Sequence, residues 1–124
     1  MTILTSVARM KAFVLSEGEG TISRENVTVT QTGAAIASGT VISKLMADGK
    51  YVVYDNVGTD GSEVAAGILY NHLDAKTGDT KAVAFVRNCE VNALELTGLD
   101  AGAAADLKAL GVIVRTAAGL TGTY

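Results

Sequence analysis

His72 is the only histidine of the chain, and it stands two positions before Asp74. Asp48, Asp55, Asp60 and Glu63 precede it in the same stretch. An imidazole beside a carboxylate suits general acid–base work, and a group of such residues suits a metal ion. His72 with Asp74, or His72 with Asp55, is therefore the pairing on which a small-molecule-binding or hydrolytic function would rest. The carboxylates also have a simpler use. Asp48 and Asp60 stand before glycine and Asp55 before Asn56, positions where an Asp side chain closes a turn on its own backbone. An EF-hand register fails as well. With Gly61 as its turn glycine, the first ligand position falls on Asn56 and the last on Gly67. On these grounds no catalytic, cofactor-binding or metal-binding residue is assigned and no cofactor is expected. The His72 enzyme reading stands as the alternative.

Other reactive residues point the same way. Cys89 is the sole cysteine, which excludes an internal disulfide and a cysteine zinc cluster. It reads as a small buried apolar residue rather than a catalytic thiol, since His72 falls in a different predicted element. Lys76, in Leu73-Asp74-Ala75-Lys76-Thr77-Gly78, has a distant likeness to the hairpin lysine of lipoyl and biotinyl carriers. Its neighbours differ from theirs, and it reads as a solvated turn lysine. Gly18-Glu19-Gly20 has the spacing that opens a dinucleotide fingerprint, but Ser23 occupies the third glycine position. Asn26-Val27-Thr28 matches a glycosylation sequon, a chance match without a secretory signal.

Composition narrows the classes further. At 124 residues the chain holds one domain with a real core, and 48% hydrophobic residues support it. A net charge of −3 and a pI near 5.0 argue against a nucleic-acid backbone as partner. Aromatic residues are 5%, too few for a stacking platform. No apolar stretch is long enough to cross a membrane. The apolar start, Met1 to Leu15, is broken by Arg9 and Lys11 and lacks a basic leader, so a secretory signal is not expected.

Fourteen glycines and no proline, set between short apolar runs, predict many turns and hence β-structure. Ile3, Val7, Met10 and Val14 fall at helical spacing, and equally well along an extended arm. Ser16 to Gly20 reads as a link. Val27 and Val29 alternate with Thr28 and Thr30 in a half-exposed strand. Further strands are predicted at Thr40–Met46, Lys50–Tyr54, Val64–Tyr70, Lys81–Arg87 and Val112–Val114, with a tight turn at Asp48-Gly49. Asn71 to Thr80 reads as a polar connection with Thr77-Gly78-Asp79 at its tip. Asp100 caps a predicted helix from Ala101 to Leu110, with Leu107 and Leu110 facing the core. Gly111 ends it.

Four pieces in order, GTVISKLMADGKYVVYDN (39–56), DGSEVAAGILYNHLDA (60–75), KAVAFVRNCEVN (81–92) and LKALGVIVR (107–115), resemble the head decoration proteins of lambda-type tailed phages. Upstream, Ile22-Ser23-Arg24-Glu25 and Val27-Thr28-Val29 resemble the segment before that family's core. The resemblance covers residues 22–115. It implies a mainly β (α+β) domain, a β-barrel-like or β-tulip body with one short C-terminal helix and an extended N-terminal arm. The corresponding division is an arm at 1–20, the β-domain at 21–115 and a tail at 116–124. The implied function is structural. Trimers sit outside the expanded phage head at three-fold and quasi-three-fold positions and hold it against the pressure of packaged DNA. The implied partners are the major capsid protein and further copies of the chain, with no direct nucleic acid and no membrane. Such a protein is made in the host cytoplasm and ends on the outer surface of the virion. The expected capsid-binding arm is Ile22, Ser23, Arg24, Glu25, Val27 and Val29, with the two valines choosing the register of a strand added to a partner sheet.

Overall fold

A computed structural model describes residues 14–17 and 22–115. The helix-or-arm alternative for the first thirteen residues, most of the 16–20 link and the 116–124 tail lie outside the described residues. The elements are β1 (Val14–Glu17), β2 (Arg24–Thr32), β3 (Val41–Lys44), β4 (Tyr51–Val53), β5 (Ala65–Leu69), β6 (Thr77–Phe85), β7 (Cys89–Asn92), a 3-10 turn (Ala93–Glu95), α1 (Ala101–Ala109) and β8 (Val112–Arg115). Five strands close a barrel in the order β2-β4-β3-β5-β6, and β1-β7-β8 form a separate small sheet. The expectation of a mainly β, barrel-like domain with one short helix is met.

The barrel closes because β2 and β6 pair antiparallel along all nine residues of each, from Arg24↔Phe85 to Thr32↔Thr77. Alternation turns Val27, Val29 and Gln31 inward. One core cluster fills the barrel, with Val27, Val29, Ile42, Tyr51, Leu69 and Ala84 among its members. A second takes Val41, Ile68 and Phe85 from the opposite faces of the same strands and packs them against Cys89, Val91, Leu107 and Val112. Strands β3 and β5 and the end of β6 are thus buried on both faces. That is why Gly67-Ile68-Leu69 and Ala82-Val83-Ala84-Phe85-Val86 are nearly continuous in apolar character instead of alternating. Gly67 permits the tightest of these approaches. A Cβ there would lie 3.0 Å from both the Phe85 carbonyl oxygen and Val86 Cγ1.

Three sequence expectations are corrected. Thr77 to Thr80 are strand, not the tip of a connection, because they ladder with Val29 to Thr32. This half of the ribbon is polar and is tied by side chains: Thr30 Oγ1 donates to Asp79 Oδ1 at 3.1 Å, and Lys50 Nζ lies 2.7 Å from Asp79 Oδ2. Leu107 is fully buried, but Leu110 is 42% exposed. It caps the C-terminus of α1, where the chain turns away from the core. Val14–Glu17, placed in the arm by the sequence, pairs with β7, and Val14 packs on the second core cluster.

Candidate functional site

The structure brings His72 and Asp74 together, but in the open. Nε2 of His72 is 3.6 Å from Asp74 Oδ1, and the Asp74 side chain is 97% exposed. Water screens such a pair, so it binds weakly and polarises little. Both residues line a shallow recess of about 470 Å³ with Gln31, Ala75, Lys76 and Thr80. Its one buried polar group is already satisfied. Gln31 Nε2 donates to the Asp74 carbonyl at 2.8 Å and to the Ala34 carbonyl, and its Oε1 accepts from Thr80 Oγ1. Asp55 is not in this recess. Its Oδ1 accepts from the Val57 N–H at 3.1 Å, the turn use expected of it. Asp48 accepts likewise from the Lys50 N–H. Asp60 accepts from the Ser62 hydroxyl and N–H, bonds that hold its carboxyl below the usual carboxylate range. Among the described residues no group of three or more His, Cys, Asp or Glu is placed to hold a metal ion. Cys89 is buried, inside the second core cluster.

The expected capsid-binding set divides in two. Val27 and Val29 point into the barrel core, and their backbones lie in the ladder to β6. Ser23 is also buried, its hydroxyl donating to the Asn88 carbonyl at 2.8 Å. The residues of the set that face outward form a pinned turn. Arg87 donates to the Ile22 carbonyl at 2.7 Å and to Glu25 Oε1 at 2.6 Å. The Arg24 guanidinium lies over the rings of Tyr70 and Phe85, 5.1 and 5.3 Å from their centroids. These contacts fix the backbone from 22 to 25 and leave the Ile22 side chain 51% exposed.

The small sheet supplies what the sequence reading missed. Strand β7 is central, antiparallel to β1 and parallel to β8, so among the described residues β1 and β8 are the edge strands of this sheet. Val14 pairs with Val91, and Val91 pairs with Val114. The chain therefore enters β1 and leaves β8 at the same end of the sheet. Beside β8, a mostly apolar groove of about 470 Å³ runs along α1, lined by Leu99, Ala101, Ala104, Ala105, Ile113 and Val114, with Asp100 and Lys108 also on its wall. The valines of Val112-Ile113-Val114 were the available signal for a strand here. Its parallel partner, Cys89–Asn92, carries only two apolar residues and gave none.

A closed barrel with a satellite sheet, offering a pinned apolar turn and two sheet edges, defines a β-module suited to contact with other proteins. The model of the bacteriophage lambda head decoration protein D family matches residues 3–120, and the chain belongs to this family. No curated protein matches the chain. The family match extends beyond 22–115 at both ends, taking in segments that the sequence resemblance left out. Membership makes this a structural protein of phage capsid decoration, located in the virion capsid.

Proposed function

We propose that the chain binds the outside of the expanded phage head as trimers at three-fold and quasi-three-fold positions, and steadies the shell against the pressure of packaged DNA. Family membership is the observation that carries this reading. The topology supports it. The register Val14↔Val91↔Val114 brings the start of β1 and the end of β8 to one end of the small sheet, which gives each copy one end suited to face a partner. Three copies joined on one axis multiply modest contacts by effective concentration. A protein that binds only the expanded lattice stabilises it by linkage, about 2.7 kcal/mol per site at a hundred times its Kd.

Within the arm set, contact falls to Ile22, with Arg24 and Glu25 shaping the turn around it. Ser23, Val27 and Val29 act from inside by holding that turn on the barrel. The partners are the major capsid protein and further copies of the chain, without direct nucleic acid or membrane. No catalysis is required of it. The test is co-sedimentation of purified protein with expanded, undecorated heads beside unexpanded ones, with the mass of the free protein measured by sedimentation equilibrium. Saturable binding to expanded heads alone, with raised resistance to heat, is the expected result. Equal binding to both lattices, or to neither, overturns the reading.

A further inference from the structure

Helix α1 reads AGAAADLKA. Its core side carries Ala103 and Leu107, both fully buried. One of its two charged residues, Asp106, is turned to the barrel, where Oδ2 accepts from the Ala65 N–H at 3.0 Å. The side away from the core is therefore not the polar face that a surface helix carries. Ala101, Ala104, Ala105 and Lys108 share one stripe there, with Ala101 and Ala105 exposed. This stripe is one wall of the groove beside β8, and the half-buried Leu99, Ile113 and Val114 complete it. Among the described residues β8 is also an edge strand. Val112-Ile113-Val114 gives that edge no charge before Arg115. An apolar, β-branched edge invites pairing with other chains, and proteins commonly cover such edges with a segment of their own.

The chain supplies a segment that fits. Residues 116–124, Thr-Ala-Ala-Gly-Leu-Thr-Gly-Thr-Tyr, begin two positions after Val114 of the groove wall. They carry no charge, so covering them along an apolar wall costs no ion desolvation. Leu120 and Tyr124 are large side chains, and the helix wall facing them is alanine. The short turn at Leu110-Gly111 sets α1 and β8 side by side in opposite senses, so the end of β8 lies by the start of α1, where Leu99 and Ala101 stand. A reversal at Gly119 would lay residues 120–124 back along β8. Extended, those residues reach about 17 Å, against about 13 Å for the length of α1. Over so short a link the segment meets its own groove at about millimolar effective concentration.

We propose that residues 116–124 fold back into the groove of their own copy, with Leu120 and Tyr124 against Ala104, Ala105 and Ile113, and close the β8 edge. The segment then acts as a guard that keeps β8 from pairing with strands of other chains. This does not depend on the decoration reading above. The test is thiol labelling of the full chain. Ala105→Cys is made alone and together with Leu120→Ser/Tyr124→Ser. Leu94→Cys marks an open position, Leu94 being 60% exposed, and Ala101→Cys repeats the measurement at the start of α1. Cys89 is buried and common to all. With the segment intact, Ala105→Cys is expected to label at least about tenfold more slowly than Leu94→Cys at every protein concentration. The two substitutions in the segment are expected to bring the rates together, with circular dichroism unchanged. Labelling of Ala105→Cys as fast as Leu94→Cys means an open groove and overturns the proposal. Protection that survives the substitutions, or that is lost on dilution and so comes from a second copy, overturns it as well.

Discussion

Replacing Leu107 by Ala tests how α1 is attached. The helix sends two residues into the core, Ala103 and Leu107, both fully buried. Leu107 is the only large one. It packs in the cluster of Val91, Phe85, Cys89 and Val112, side chains held by two strands of the small sheet and one of the barrel, which cannot move together to refill the space. Truncation of a leucine in such a site costs about 2–5 kcal/mol, transfer and cavity terms combined. Against a total stability of about 5–15 kcal/mol for a small domain, a loss near 3 kcal/mol lowers Tm by roughly 10–15 °C. Leu110→Ala is the internal control. Sequence spacing places both leucines on the core face, but Leu110 is 42% exposed and its truncation costs less than about 1 kcal/mol. Urea unfolding followed by circular dichroism reads both, with the m-value reporting whether the unfolding unit is unchanged. Equal losses for the two variants, or less than about 1 kcal/mol for Leu107→Ala at constant m, would refute the account of how the helix is held.

Three further outcomes follow from the same structure. Gly67→Ala is expected to cost about 1–3 kcal/mol, because the added methyl meets the Phe85 carbonyl and Val86 at 3.0 Å. Chemical denaturation measures it, and a neutral result would mean that β5 and β6 separate easily. Asp100 accepts first from the Ala103 N–H and also from Tyr54 and Asn56, which holds its carboxyl below the usual range. Its contribution is present above the unfolded pKa of about 3.9 and is lost as pH falls through the lower folded value. Thermal unfolding of Asp100→Ala should therefore lie below wild type at pH 7 and converge with it in strong acid; a gap that persists at the lowest pH would refute this. His72→Ala is expected to bind and protect heads like wild type, since its partner Asp74 is 97% exposed; loss of protection would revive the alternative built on that residue.

What the sequence made legible was set by local chemistry. Asp48-Gly49 closed its turn, with Gly49 at φ +76. Asp100 capped the helix and Gly111, at φ +89, ended it. What stayed hidden depends on partners far along the chain. Thr77-Gly78-Asp79-Thr80 has the composition of a turn, and only the ladder to Val29–Thr32 makes it strand. Cys89–Asn92 is too short and too polar to announce itself, and it is held between β1 and β8 from opposite ends of the chain. The depth of Val27 and Val29 in the expected contact set was hidden for a related reason. Val27 and Val29 alternate as an edge strand would, but a strand half-buried against a partner sheet and one half-buried in its own barrel share a single pattern.

The division of labour inside the fold follows from where burial is doubled. Strands β3 and β5 and the end of β6 serve two cores at once, Ile42 and Leu69 facing the barrel interior and Val41, Ile68 and Phe85 facing the small sheet and helix. The small sheet is therefore not an appendage that could swing freely, since removing it would expose the outer face of the barrel. The proposed role, holding neighbouring capsid subunits in fixed relation, would draw on this stiffness. The Ile22 turn lies where β2 begins, pinned through Arg87 and Ser23 to the junction of β6 and β7. The shared faces of β3, β5 and β6 thus couple the barrel, that turn and the sheet edges into one body. Under that proposal, load at the small sheet would pass across two packed cores rather than through a linker, and resistance to it would rise with the stability of those cores.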